Sequence, residues 1–140
     1  MNEHKSAPKE LLDIIAVRYS VNVSTPPKLL VELADCSVGC RAKIFYSNNG
    51  SPVGYIVWAS LNKESFILLS KTKKMPAYTY EWYEGRLIVV HDVVVLPQWN
   101  SVVNTAIRDF LTQKRFVAFL RRGRLHVWSK PNGRFKRTIL

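Results

Sequence analysis

Acidic residues are scarce in this sequence. Ten Asp and Glu stand against 21 Lys and Arg in 140 residues, giving a formal net charge of +11 and an isoelectric point near 10.0. No Asp or Glu follows Asp109, whereas nine Lys and Arg lie between Lys114 and Arg137. So one-sided a segment is expected to attract an acidic partner, and nucleic acid, an acidic carrier protein and an anionic membrane surface all qualify. Cysteine is also scarce. Cys36 and Cys40 stand in CSVGC, a spacing that fits neither a CxxC redox motif nor a zinc half-site, and there is no second pair. Two free thiols are expected, and no metal. No apolar run is long enough to span a bilayer. The opening MNEHKSAPKE is polar and does not read as a secretion signal, so a cytoplasmic address is expected. There are no repeats, no low-complexity segments, and no helix-turn-helix, zinc-finger or RNP signature.

What is present is enough apolar residue, 47%, for one globular domain over residues 1–140. The chain is organised around RLIVVHDVVVLPQWNSVVNTAIRDFL, Arg86 to Leu111. Leu87 to Leu96 is apolar except for His91 and Asp92, and Val fills five of its ten positions, so it reads as a buried central strand. Pro97 ends it. Asn100 or Ser101 is expected to cap a helix reaching about Gln113, with Val103, Ile107, Phe110 and Leu111 on its apolar face. An ionisable pair inside so apolar a run must be paired, neutral or at an open end.

Around it, Pro8 to Tyr19 reads as an amphipathic helix with Ser6 as cap and Leu11, Leu12, Ile15 and Tyr19 as its buried stripe. VNVSTPP (21–27) is a loop, and Lys28 to Asp35 a second helix closed by Gly39. Arg41 to Tyr46 and Val53 to Leu61 are strands joined by the hairpin signal SNNGSP. Lys63 to Leu69 is expected to be helical, and Ser70 to Tyr83 a mobile basic loop ending in an aromatic cluster. Arg115 to Leu120 and Arg124 to Ser129 are strands across an Arg-Gly turn. Pro131-Asn132-Gly133 is a further turn and Arg134 to Leu140 a basic tail. The sum is an α+β fold with a mixed, mostly antiparallel sheet flanked by helices.

The candidate catalytic residues are Asp92, His91 and His126. Asp92 could act on an acceptor amine or hold an imidazole, or be a carboxylate satisfied by Arg or backbone donors. His91 neighbours it but faces the other way on a regular strand. Tyr55, Trp58, Trp82 and Trp99, with Tyr78, Tyr80 and Tyr83, could line an apolar groove, fill the core or stack on bases. Arg121, Arg122, Arg124, Arg134 and Arg137 are candidates for one partner-binding face.

Two motifs resemble the RTX toxin-activating lysine acyltransferases, of which this chain would be a divergent member. SPVGYIVWASL (51–61) resembles a family strand with a proline, an apolar run and Trp58-Ala59. EWYEGRLIVVHDVVVLP (81–97) resembles the next signature through Trp82, Gly85, Asp92 and Pro97. The resemblance implies an acetyltransferase-like (GNAT) fold and transfer of a fatty acyl group from acyl carrier protein to a lysine amine of a protoxin. GNAT enzymes carry their CoA pyrophosphate on a glycine-rich loop; here QWNSVV (98–103) puts Ser101 and Val103 at the glycine positions. That favours a carrier-bound donor, with acyl-CoA as the other choice, and no resident cofactor. The family's catalytic histidine lies in the loop after the first helix, where this sequence has Ser24 and Thr25. The family's Asp precedes its Pro by four residues, and Asp92 precedes Pro97 by five, which a β-bulge would reconcile. The alternative is a catalytically altered GNAT-like binding module, or a nucleic-acid-modifying acyltransferase, whose basic face holds nucleic acid or an acidic protein.

Overall fold

The computed structural model describes residues 3–130 and 136–140. In chain order the elements are α1 (Glu3–Ser20), α2 (Pro27–Val38), β1 (Ala42–Tyr46), β2 (Pro52–Leu61), α3 (Lys63–Thr72), β3 (Leu87–Val95), α4 (Asn100–Thr112), β4 (Phe116–Arg121), β5 (Arg124–Ser129) and β6 (Lys136–Ile139), with 3-10 turns at Thr79–Tyr83 and Pro97–Trp99. The strands form one six-stranded sheet in the order β1-β2-β3-β4-β5-β6. β1 pairs antiparallel with β2, β4 with β5 and β5 with β6, whereas β3 and β4, joined through α4, are parallel. This is the expected α+β fold with a mostly antiparallel sheet, and β3 is internal to it.

Local chemistry sets the boundaries. α1 ends in a Schellman motif: Asn22 takes a left-handed φ of 57°, while the Val23 N–H reaches the Arg18 carbonyl at 3.0 Å and the Asn22 N–H reaches that of Tyr19 at 3.1 Å. α2 opens on Pro26-Pro27. It closes the same way as α1, except that the left-handed residue is Cys40 (φ 57°) rather than Gly39. Asn62 caps α3, its Oδ1 accepting from the Ser65 N–H at 2.8 Å. The β4–β5 hairpin turns on Arg122 and Gly123, both at positive φ, which matches the right-handed twist of the strands.

Several sequence expectations are corrected. The deepest strand is β2, not β3. Val53 to Ala59 is buried without interruption on both faces, whereas in β3 only Val89 is fully buried and Val93 is 41% exposed. α1 starts before Ser6, which is therefore not its cap. Its buried stripe is Ile14, Val17 and Arg18; Leu12 and Tyr19 face solvent. Asn100 has helical φ and ψ and does not cap α4, because Pro97-Gln98-Trp99 already starts the turn. α3 runs on to Thr72, and the segment after it holds a 3-10 turn rather than a plain loop. The basic tail contributes an edge strand, β6. Arg134 and the Pro131–Gly133 turn lie outside the described residues.

The chain divides into two compact units, Met1–Val57 with Asp92–Ile107 and Trp58–His91 with Arg108–Leu140. In the first, Gly54 lets the helix onto the sheet: a Cβ there would lie 2.9 Å from Val103 Cγ1 and 3.3 Å from the Val94 carbonyl. In the second, a Cβ on Gly85 would collide with the Leu61 carbonyl, so the glycine is required by close backbone approach. The Trp82 indole is fully buried there, donating to the Pro76 carbonyl at 3.1 Å.

Candidate functional site

Asp92 enters the first unit on the last half of β3, and its charge is answered there. Arg18, in the last turn of α1, is 3% exposed. Its Nη1 donates to Asp92 Oδ2 at 2.8 Å and to Tyr55 Oη at 2.9 Å. The Tyr55 hydroxyl donates in turn to the same Oδ2 at 2.5 Å. Arg18 also fixes the loop after its own helix, with Nε on Thr25 Oγ1 at 2.9 Å and Nη2 on the Ser24 carbonyl at 2.5 Å. One guanidinium therefore ties α1, the 21–27 loop, β2 and β3 together. The Schellman turn makes this reach feasible, since it folds residues 23–25 back over the end of the helix that carries Arg18.

Asp92 is consequently a carboxylate anchored through one oxygen. Its side chain keeps 23% exposure, and among the described residues no donor reaches Oδ1. Burial, followed by its hydrogen bond to the Asp92 carboxylate, pushes the Tyr55 phenol far above its ordinary range, against a smaller opposing effect of Arg18. Tyr55 is therefore a fixed O–H donor, not a base. The site can present a positioned acceptor oxygen to an incoming N–H or ammonium group. Among the described residues no imidazole is hydrogen-bonded to it.

Tyr55 is thus the one groove candidate bonded to Asp92, and the other candidates make different contacts. His91 meets Trp82 edge-on, with centroids 4.7 Å apart. His126 is stacked on Phe119, its Nδ1 hydrogen-bonded to Arg137 at 2.8 Å. Burial first, then Arg137, Arg121 and Arg124, lower its basicity below that of an ordinary histidine. Trp58 is 9% exposed and packs on Phe110 at 5.1 Å. Tyr55 and Trp82 are fully buried, and Trp99 is half-exposed on its 3-10 turn. An apolar cavity of about 320 Å³ does exist in the second unit, lined by Leu68, Leu69, Thr72, Met75, Pro76 and Tyr78 among others. Of the groove candidates only Tyr78 borders it. Arg121, Arg122, Arg124 and Arg137 are all exposed.

Arg18 was not singled out from sequence. The signal was there: Ile14, Val17 and Arg18 share the spacing of one helical face, and a lone carboxylate in an apolar strand needs a cation. Among the described residues no helix is long and apolar enough to cross a membrane, and no three His, Cys, Asp or Glu side chains cluster as metal ligands. No protein-family model matches the sequence, and no curated protein matches it significantly.

Proposed function

We propose that this chain is an acyltransferase similar to the protoxin-activating lysine acyltransferases, with Asp92 as the group that receives the acceptor amine. The observation that supports it most is Asp92 itself, locked through Oδ2 by Arg18 and Tyr55 while its side chain keeps 23% exposure. Oδ1 accepts a hydrogen bond from the lysine Nζ–H and aims the nitrogen lone pair at the acyl carbonyl. The C–N bond forms, the C–S bond of the carrier thioester breaks, and the proton given up by the amine ends on the leaving thiol.

The second possibility is a binding module. It is favoured by Ser24 and Thr25 standing where the resemblance calls for histidine, since no general base then faces the amine. One experiment separates the two. The purified chain is incubated with fatty-acyl carrier protein, or with acyl-CoA, and a lysine-bearing peptide, and the peptide is weighed. Acyl transfer lost in Asp92→Asn while that variant still melts cooperatively supports the enzyme. No acylated peptide from either donor leaves the binding module.

A further inference from the structure

Along β4, β5 and β6 side chains alternate between two faces. One face holds Ala118, Leu125 and Val127, all buried, and Phe116, which meets Phe66 of α3 edge-on at 5.1 Å. The opposite face carries Val117, Phe119 and Arg121 of β4, Arg124, His126 and Trp128 of β5, and Arg137 and Ile139 of β6, with Val117 and His126 buried and the others wholly or partly exposed. There Arg121 stands across from Arg124, Phe119 from His126, and Trp128 from Arg137. Phe119 stacks on His126 with centroids 5.0 Å apart and meets Trp128 edge-on at 5.3 Å. The three arginines are exposed, and the Phe119 and Trp128 rings are partly so.

This face is unusual in two ways. Like charges directly opposite on a ladder are unfavourable, yet Arg121 faces Arg124 and the three strands carry no acidic residue at all. Its cations are also all arginine among the described strand residues: Arg121, Arg124 and Arg137. Guanidinium groups match phosphate oxygens two at a time and stack on planar rings. We propose that this face of β4–β6 binds single-stranded nucleic acid, with phosphates on Arg121, Arg124 and Arg137 and bases against Phe119 and Trp128. An acidic protein would use the charge but not the row of aromatic rings between the charges. A duplex keeps its base faces stacked internally, so only a single strand uses both features. Binding on this face does not depend on acyl transfer.

The test is fluorescence anisotropy with the full chain and labelled 20-nucleotide RNA and DNA single strands, a duplex of equal length, and poly-glutamate as competitor. Expected are tighter binding of the single strands than of the duplex, poor displacement by poly-glutamate, and quenching of tryptophan emission on binding. The triple variant Arg121→Ser/Arg124→Ser/Arg137→Ser should bind about tenfold or more weakly. It should also have a shallower salt dependence, by about 0.7 in the log–log slope for each phosphate that is no longer neutralised. Absence of binding at low salt overturns the proposal, as does an unchanged triple variant with native circular dichroism. Displacement by poly-glutamate as efficient as by unlabelled oligonucleotide also overturns it, and reassigns the face to an acidic protein.

Discussion

The two units treat arginine in opposite ways. In the first, Arg18 is buried, its guanidinium is shared among four acceptors, and its charge is met by Asp92 at 2.8 Å. In the second, Arg121, Arg124 and Arg137 are exposed on strands without one carboxylate. A cation neutralised inside the molecule serves architecture and orients a site. Cations left without a carboxylate at the surface are available to something outside it. The same side chain should therefore be costly to remove in one place and nearly free to remove in the other.

The largest effect is expected from Arg18→Ala. It leaves Thr25 and the Ser24 carbonyl without their Arg18 donor and Asp92 without its cation, held by Tyr55 alone, and breaking such a pair costs about 3 kcal/mol or more. Urea unfolding should show it as a lowered midpoint, and a midpoint equal to wild type would sink the architectural role. Next, Tyr55→Phe removes one donor from Asp92 and should cost about 1 kcal/mol. Its acyl-transfer rate, if the enzyme reading holds, should fall further than its stability does, because Asp92 is left with a single anchor.

A smaller effect should appear with pH. His126 is held below its ordinary pKa of 6.5 by burial and by three arginines. The unfolded chain therefore binds more protons than the folded one just below pH 6.5, and stability should fall as pH drops through that range. Thermal melts between about pH 7.5 and 5 should show the decline, and His126→Gln should lessen it. An identical decline in the variant would mean that other groups carry it. The smallest effect is expected from Arg124→Ser, within about 0.5 kcal/mol of wild type, with a slight gain allowed by relief of repulsion from Arg121. If it destabilised as much as Arg18→Ala, the contrast between the units would be gone.

Much of the fold was legible in the sequence because strong local signals agreed. Asn-Gly and Arg-Gly marked the β1–β2 and β4–β5 hairpins, Pro97 stopped β3, and a run of valines marked an internal strand. Burial was less legible. An apolar strand and a fully covered strand look alike in sequence, so Leu87 to Leu96 read as buried although β2 is the strand more completely covered. The α1 stripe was misread for a related reason. Leu12 and Tyr19 are apolar but exposed, whereas Arg18 is charged but buried, and only the partner at residue 92 explains it. The heart of the site, where Arg18, Tyr55 and Asp92 meet, joins residues far apart in the chain, which no local pattern can reveal. Gly85 was noticed as part of a motif, but its reason, the Leu61 carbonyl against its α-carbon, belongs to the folded structure alone.

The distance along the chain between Arg18 and Asp92 has a further consequence, one of timing. The two are separated by 74 residues. At a synthesis rate of about 5–20 residues per second, roughly 4–15 seconds pass between the appearance of the cation and that of its carboxylate. During that interval the guanidinium on the face that α1 buries has Thr25, the Ser24 carbonyl and Tyr55 as its partners but no carboxylate. A nascent chain halted before residue 92 should accordingly leave α1 accessible to protease, and one extended past α4 should protect it.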